Sequence, residues 1–172
     1  MLHEIEDIEH ERLRLHRKPT VQDAPPVLCA FDVRTNDPVE EFSGRLRSVL
    51  DIALQLAVSQ PFDGEDLPID SIPEWFRSAS RGADTAIPGF AEQGMRGYAS
   101  TVSEQRWDLQ EWLYQFDPES EFRGWSWWDL TVSGDREARI WVDSWGESFF
   151  ACNELGGLRS SRVPRRSPGP AL

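Results

Sequence analysis

The sequence predicts an α+β fold, with an antiparallel sheet of three or more strands, mainly residues 124–152, packed against two or three helices. Three observations carry this expectation. Val39, Phe42, Leu46, Val49, Leu50, Ala53 and Ala57 line up as one apolar helical stripe. Leu109, Trp112, Leu113 and Phe116 repeat that spacing at i, i+3, i+4 and i+7. Beyond them the pattern switches to short alternating runs separated by Gly134-Asp135 and Trp145-Gly146, which is turn chemistry.

The elements follow in order. Residues 2–17 predict a helix with Leu2, Ile5, Ile8 and Leu13 near helical spacing. Acids lead it, Arg17 and Lys18 close it in keeping with the helix dipole, and Pro19 stops it. VQDAPP reads as a linker. VLCAFDV, Val27 to Val33, is rich in branched and aromatic residues and predicts a strand at the sheet edge.

Asp37, Pro38 and Glu40 supply a cap, a first-turn proline and capping-box spacing for a helix over 38–59. Ile52, Leu54, Leu56 and Val58 widen its stripe, so its far end is expected to be buried on most sides. PFDGEDLPID is a loop. Ser71 and Glu74 repeat the capping spacing before a short helix ending near Gly82, and residues 82–97 are irregular. Thr101 and Glu104 repeat it again ahead of a helix over 104–116, which Asp117-Pro118 ends. Strands are expected at 124–133, 137–143 and 147–152. Gly156-Gly157 breaks any further helix, and GGLRSSRVPRRSPGPAL reads as disordered. The domain organisation is therefore an N-terminal helix and linker (1–26), one globular domain (27–155) and a basic Pro/Arg/Ser tail (156–172).

Strand alternation sorts the tryptophans of GWSWWDLTV. Pairing Val132 with Ala138, Leu130 with Ile140 and Trp128 with Val142 gives one clean apolar face and needs a three-residue loop, Gly134 to Arg136. The other face then carries Trp125, Trp127 and Trp141 among Asp129, Asp143, Glu137 and Arg139, with Trp127 opposite Asp143 and Asp129 opposite Trp141. Aromatic rings interleaved with acids suit a basic protein partner, since Trp is enriched at binding hot spots and charge steers approach. The plainer alternative is that helices cover both faces and these rings are packing.

Charge sharpens the picture. The 172 residues hold 18 Lys+Arg and 30 Asp+Glu, a net of −12. Four of the arginines and none of the acids lie in the last 17 residues, so residues 1–155 carry 14 bases against 30 acids, a net of −16. Such a body repels phosphate backbones, which argues against nucleic-acid binding through it. No apolar run reaches the ~20 residues of a membrane span, and the acidic start lacks a secretory core. Cys29 and Cys152 therefore read as reduced thiols of a cytoplasmic protein.

No phosphate-binding, dinucleotide-binding or nucleophile-elbow motif is present. The three histidines, His3, His10 and His16, lack the i, i+4 spacing of a helical metal pair and are expected to face solvent, so no metal or cofactor is expected. The reading leans against an enzyme. It points to a non-enzymatic acidic protein-binding domain, an inhibitor or immunity-type protein neutralising a basic partner such as a toxin or nuclease. One alternative is a small-molecule or carbohydrate binding or hydrolysing domain using the Trp/Asp face, with Asp129 and Asp143 as paired carboxylates. Another is a structural or regulatory subunit that docks through the N-terminal helix.

Overall fold

The computed structural model describes residues 3–80, 89, 107–120 and 123–146. The expected strand at 147–152, the Thr101–Glu104 cap, Cys152 and the 156–172 tail lie outside the described residues. The elements are α1 (Ile5–His16), β1 (Leu28–Arg34), α2 (Val39–Ser59), α3 (Glu74–Ala79), α4 (Leu109–Tyr114), β2 (Ser126–Gly134) and β3 (Glu137–Asp143). The result is α+β, with an antiparallel sheet packed against helices.

The strand order is β1-β3-β2, both pairings antiparallel. β3 is therefore the central strand, with β1 on one side of it and β2 on the other. One face of the sheet is the core face. Phe31 and Val33 from β1, Trp127 and Leu130 from β2, and Ala138, Ile140 and Val142 from β3 are buried in one cluster with the helices. Roughly 25 cal/mol per Å² of apolar area removed from water makes this cluster the main source of stability.

Val132 pairs with Ala138 and Leu130 with Ile140, as the alternation requires. The connection itself is shorter than expected. The turn is Asp135-Arg136, Gly134 pairs with Glu137, and the register shifts between Val132 and Gly134, leaving Ser133 as an extra residue. A two-residue turn plus a one-residue bulge reaches the register that a three-residue loop would also give. A second shift between Trp127 and Asp129 makes Trp128 the extra residue there. Trp127 thus opposes Val142, and Ser126 opposes Asp143. The bulge swaps the faces upstream of it: Trp127 takes the core position that strict alternation assigns to Trp128, and Trp128 is left half-buried.

The helices depart from expectation mainly at their starts. Val39 and Glu74 begin α2 and α3 directly after Pro38 and Pro73, and neither helix has a side-chain cap. Asp37 instead accepts from Arg45 at 2.7 Å, and the Val39 N–H donates to the Asp135 carbonyl at 2.8 Å, tying the head of α2 to the β2–β3 turn. α4 does have a side-chain cap, but at Asp108, whose Oδ1 accepts from the Gln110 and Glu111 N–H groups. Leu109, Trp112, Leu113 and Phe116 are all buried, as their spacing predicts. Phe76, Trp107, Trp112, Phe116 and Trp125 form a continuous aromatic cluster between α3, α4 and the start of β2, with successive centroids 4.6–6.5 Å apart. Gln110 clamps the preceding loop, accepting from the Leu67 N–H and donating to its carbonyl, both at 3.0 Å.

α1 belongs to this body and is not an appendage before it. Its inward residues are Ile8, Glu11 and Leu15, while Ile5 and Leu13, expected in its apolar stripe, are 45% and 62% exposed. Glu11 is what rotates the helix. Its carboxylate receives Arg123 Nη1 at 2.7 and 3.0 Å and Nη2 at 3.0 Å, and it also accepts the Trp127 N–H at 2.6 Å. Both side chains of this ion pair are essentially inaccessible, at 2% and 1%. One turn on, Arg14 Nε donates to the Trp127 carbonyl at 3.0 Å. α1 thus satisfies both backbone groups of one residue on an outer strand, where another chain could otherwise pair.

Removing one partner of a buried ion pair leaves an uncompensated charge, so Glu11→Ala is expected to cost about 3–5 kcal/mol. Joint replacement by Glu11→Leu and Arg123→Met is expected to recover much of that loss. Urea titration of the single and double variants checks both statements.

Candidate functional site

The face of the sheet opposite the core is a ladder of rungs across β1 and β3: Arg34 with Glu137, Asp32 with Arg139, Ala30 with Trp141 and Leu28 with Asp143. Two rungs are ion pairs, Arg34–Glu137 at 2.9 Å and Arg139–Asp32 at 2.7 Å. The Asp32 hydrogen bond holds the Arg139 pKa above its ordinary value. The Arg139 guanidinium also lies 5.6 Å from the centroid of the Trp141 ring, whose Nε1–H donates to Thr131 Oγ1 at 3.0 Å. Trp141 is therefore a half-buried ring fixed on both sides.

Of the residues the sequence pattern placed on an aromatic, acidic face, Trp141, Arg139, Glu137 and Asp143 remain there, and Asp129 keeps its predicted place opposite Trp141 but is buried. Trp125 and Trp127 are not on it. Trp125 and Trp127 are 0% exposed. Trp127 lies under α2, with the Arg47 guanidinium 5.6 Å from its centroid, and Trp125 packs on Phe116 and Arg123. Asp129 is buried, its Oδ1 accepting the Leu130 N–H at 2.7 Å and lying 3.8 Å from Arg47, so this carboxylate is engaged inside the fold. The face that remains is close to charge-balanced, because two of its acids are already paired with its own arginines. A shallow cleft of about 590 Å³ borders it at Arg34–Asn36 and Gly134–Glu137, with the same mixture of signs.

The acidity points elsewhere. On α1 the basic side chains turn inward: Arg12 donates to Asp51 at 3.0 Å, and Arg14 reaches the Trp127 carbonyl with its guanidinium 5.1 Å from the Trp128 centroid. Burial lowers the Arg14 pKa from its ordinary value. Burial pushes the Asp51 carboxyl up, but hydrogen bonds from Arg12 and His16 outweigh it and hold the group below the usual range. Glu4, Glu6, Asp7 and Glu9 are exposed on the same helix. Ile5, Glu9 and Leu13 follow one another at i, i+4 and i+8, so two exposed apolar side chains flank an acid along one line, with Glu6 beside it. Sequence reasoning missed this face because it counted Ile5 and Leu13 as core. The available signal was Ile8–Glu11–Leu15, an equally good inward stripe with an acid in the middle.

The N-terminal end of α1 is anchored by a histidine. The His3 N–H donates to the Pro118 carbonyl at 3.1 Å, and its Nε2–H to the Arg123 carbonyl at 3.3 Å. Its ring meets Trp145 edge-on at 5.0 Å. Trp145 adopts left-handed backbone with φ 52°, and its N–H donates to Asp143 Oδ1 at 2.8 Å. His3 is buried and does not face solvent as expected, while His10 and His16 are exposed. Among the described residues no three His, Cys, Asp or Glu side chains gather as a metal site, and no helix is long and apolar enough to cross a membrane. Cys29 is a free, half-buried thiol whose Sγ lies 3.2 Å from Ser144 Oγ.

Compared with protein-family models, curated proteins and solved structures, the chain matches none.

Burial lowers the His3 pKa below 6.5, and the neighbouring Arg123 charge pushes the same way. The folded chain therefore holds His3 neutral, while the unfolded chain protonates it near 6.5. The His3 contribution to stability is complete above that pH and is lost as pH falls through the lowered folded value. Urea titrations are expected to show stability declining as pH falls below 6.5, with proton uptake on unfolding, and His3→Gln is expected to flatten that slope.

Proposed function

We infer that this chain is a non-enzymatic acidic protein that binds a basic protein partner, in the manner of an inhibitor or immunity-type protein neutralising a basic toxin or nuclease. The observation that carries the reading is the sorting of charge on α1. Its arginines Arg12 and Arg14 are held inward by Asp51 and Trp127, while Glu4, Glu6, Asp7 and Glu9 face water beside exposed Ile5 and Leu13. A face of exposed apolar side chains ringed by one sign of charge combines contact area with long-range steering. The net charge of −12 extends that field over the whole molecule.

The contact surface assigned by this reading is thus the outer face of α1. The Trp141 face offers one fixed ring and paired charges, which suits it less well to attracting a basic surface. The N-terminal helix becomes the docking element without ceasing to be part of the core.

The test is affinity purification of the full chain followed by carbodiimide coupling, which joins its carboxylates to partner lysines. A basic partner is expected, coupled at Glu6 or Glu9, with affinity falling about tenfold or more between 50 and 500 mM salt. Glu6→Gln with Glu9→Gln is expected to slow association while leaving the unfolding midpoint unchanged. Affinity indifferent to ionic strength, or coupling confined to Glu137 and Asp143, would overturn this assignment.

A further inference from the structure

Ile5 and Leu13 form an exposed face, unpartnered among the described residues, on a helix that otherwise buries its apolar residues, and something on this chain is suited to cover it. The last described residues lie beside it. Trp145 packs on His3, two residues before α1 begins, so the chain leaving Gly146 departs from the N-terminal end of that helix. Twelve residues further on begins the run LRSSRVPRR, residues 158–166, with four arginines and no acid.

We propose that residues 158–166 dock on the outer face of α1, so that the chain's own basic segment occupies the surface assigned above to a basic partner. The inference rests on that assignment of the surface and adds the occupant that competes for it.

Length permits the contact. The 13 residues from Gly146 to Arg159 reach up to about 45 Å, whereas the 12 residues of α1 span only about 18 Å. Spacing permits it too. Ile5 and Leu13 are about 12 Å apart along the helix, and Leu158 to Val163 covers up to about 17 Å when extended. Two apolar side chains can then meet two, with Arg159 and Arg162 between them facing Glu6 and Glu9. Exposed ion pairs are individually weak, about 0.2–1 kcal/mol, so the tether does most of the work by holding the segment at an effective concentration on the order of millimolar. A contact of that kind is displaceable, as a guarded binding face requires.

Competition between cis and trans copies of the segment tests this. A fluorescent peptide of residues 156–172 is titrated against the full chain and against the full-length variant R159S/R162S/R165S/R166S, at about 20 mM salt and with anisotropy as the readout. The peptide is expected to bind the variant about tenfold more tightly than the parent, because the parent's face is already filled. Adding E6Q, E9Q and L13Q to the variant is expected to abolish binding, with circular dichroism confirming that α1 still forms. Equal affinity for parent and variant overturns self-docking while leaving the face available to a partner. No binding to the variant, or binding unaffected by the three α1 substitutions, shows that this segment does not recognise the face. Protection of the parent that grows with its own concentration assigns the contact to a second copy and also overturns the proposal.

Discussion

Glu11 carries one negative charge into a place without water, and three parts of the chain converge on it. Arg123 neutralises it through three short contacts, the Trp127 N–H adds a fourth, and Phe116 and Trp125 present ring faces to the Arg123 guanidinium at 5.0 and 5.4 Å. A buried pair of this kind costs desolvation free energy that its attraction only partly offsets, so its contribution is specificity more than net stability. It sets one rotation and one height for α1 against the sheet. Every later consequence on that helix, including which residues face water, follows from it.

The same pair explains how the sheet edge is closed. At Trp127 a bulge has already disturbed the pairing with β3, and α1 supplies a carboxylate and a guanidinium where a strand would supply a carbonyl and an N–H. Arg47 of α2 completes the lock, donating to the Leu15 carbonyl at the end of α1 and to Ser43 within its own helix, while covering Trp127. Basic side chains here bridge elements from within. Arg12, Arg14, Arg47 and Arg123 each bind a carboxylate or a backbone carbonyl of another element. With so few bases turned outward on α1 and so many acids in the chain, the surface of that helix becomes acidic as a by-product of folding.

What was legible in the sequence depended on how local its determinants are. The α2 stripe and the Leu109–Phe116 spacing are helical periodicities, and both bury the residues they should. The pairs Val132–Ala138 and Leu130–Ile140 follow from alternation on either side of a turn. The adjacency of β1 and β3 joins residues more than a hundred positions apart and leaves no local trace. The bulge at Trp128 is equally silent, yet one inserted residue decides which tryptophan enters the core, so the predicted aromatic face lost Trp125 and Trp127 while Trp141, Arg139, Glu137 and Asp143 stayed, and Asp129, below the bulge, kept its place opposite Trp141 but is buried. The Asp37 and Ser71 caps failed for a related reason: after Pro38 and Pro73 the helices start without them, and Asp37 finds Arg45 instead.

An acid in the middle of an apolar helical stripe is ambiguous until its partner is known. If Glu11 faced water, Ile5, Ile8 and Leu13 would be the inward set and α1 would show an ordinary polar back. Because Arg123 draws Glu11 inside, Ile5 and Leu13 are turned out, and the helix exposes apolar surface that its own sequence could have hidden. The stability lost by leaving two large apolar side chains in water is on the order of 1–2 kcal/mol each. A fold that tolerates that loss, on the helix whose acids already face outward, has in the same step made the surface most suited to another chain. Core specificity and surface character are here set by a single buried charge.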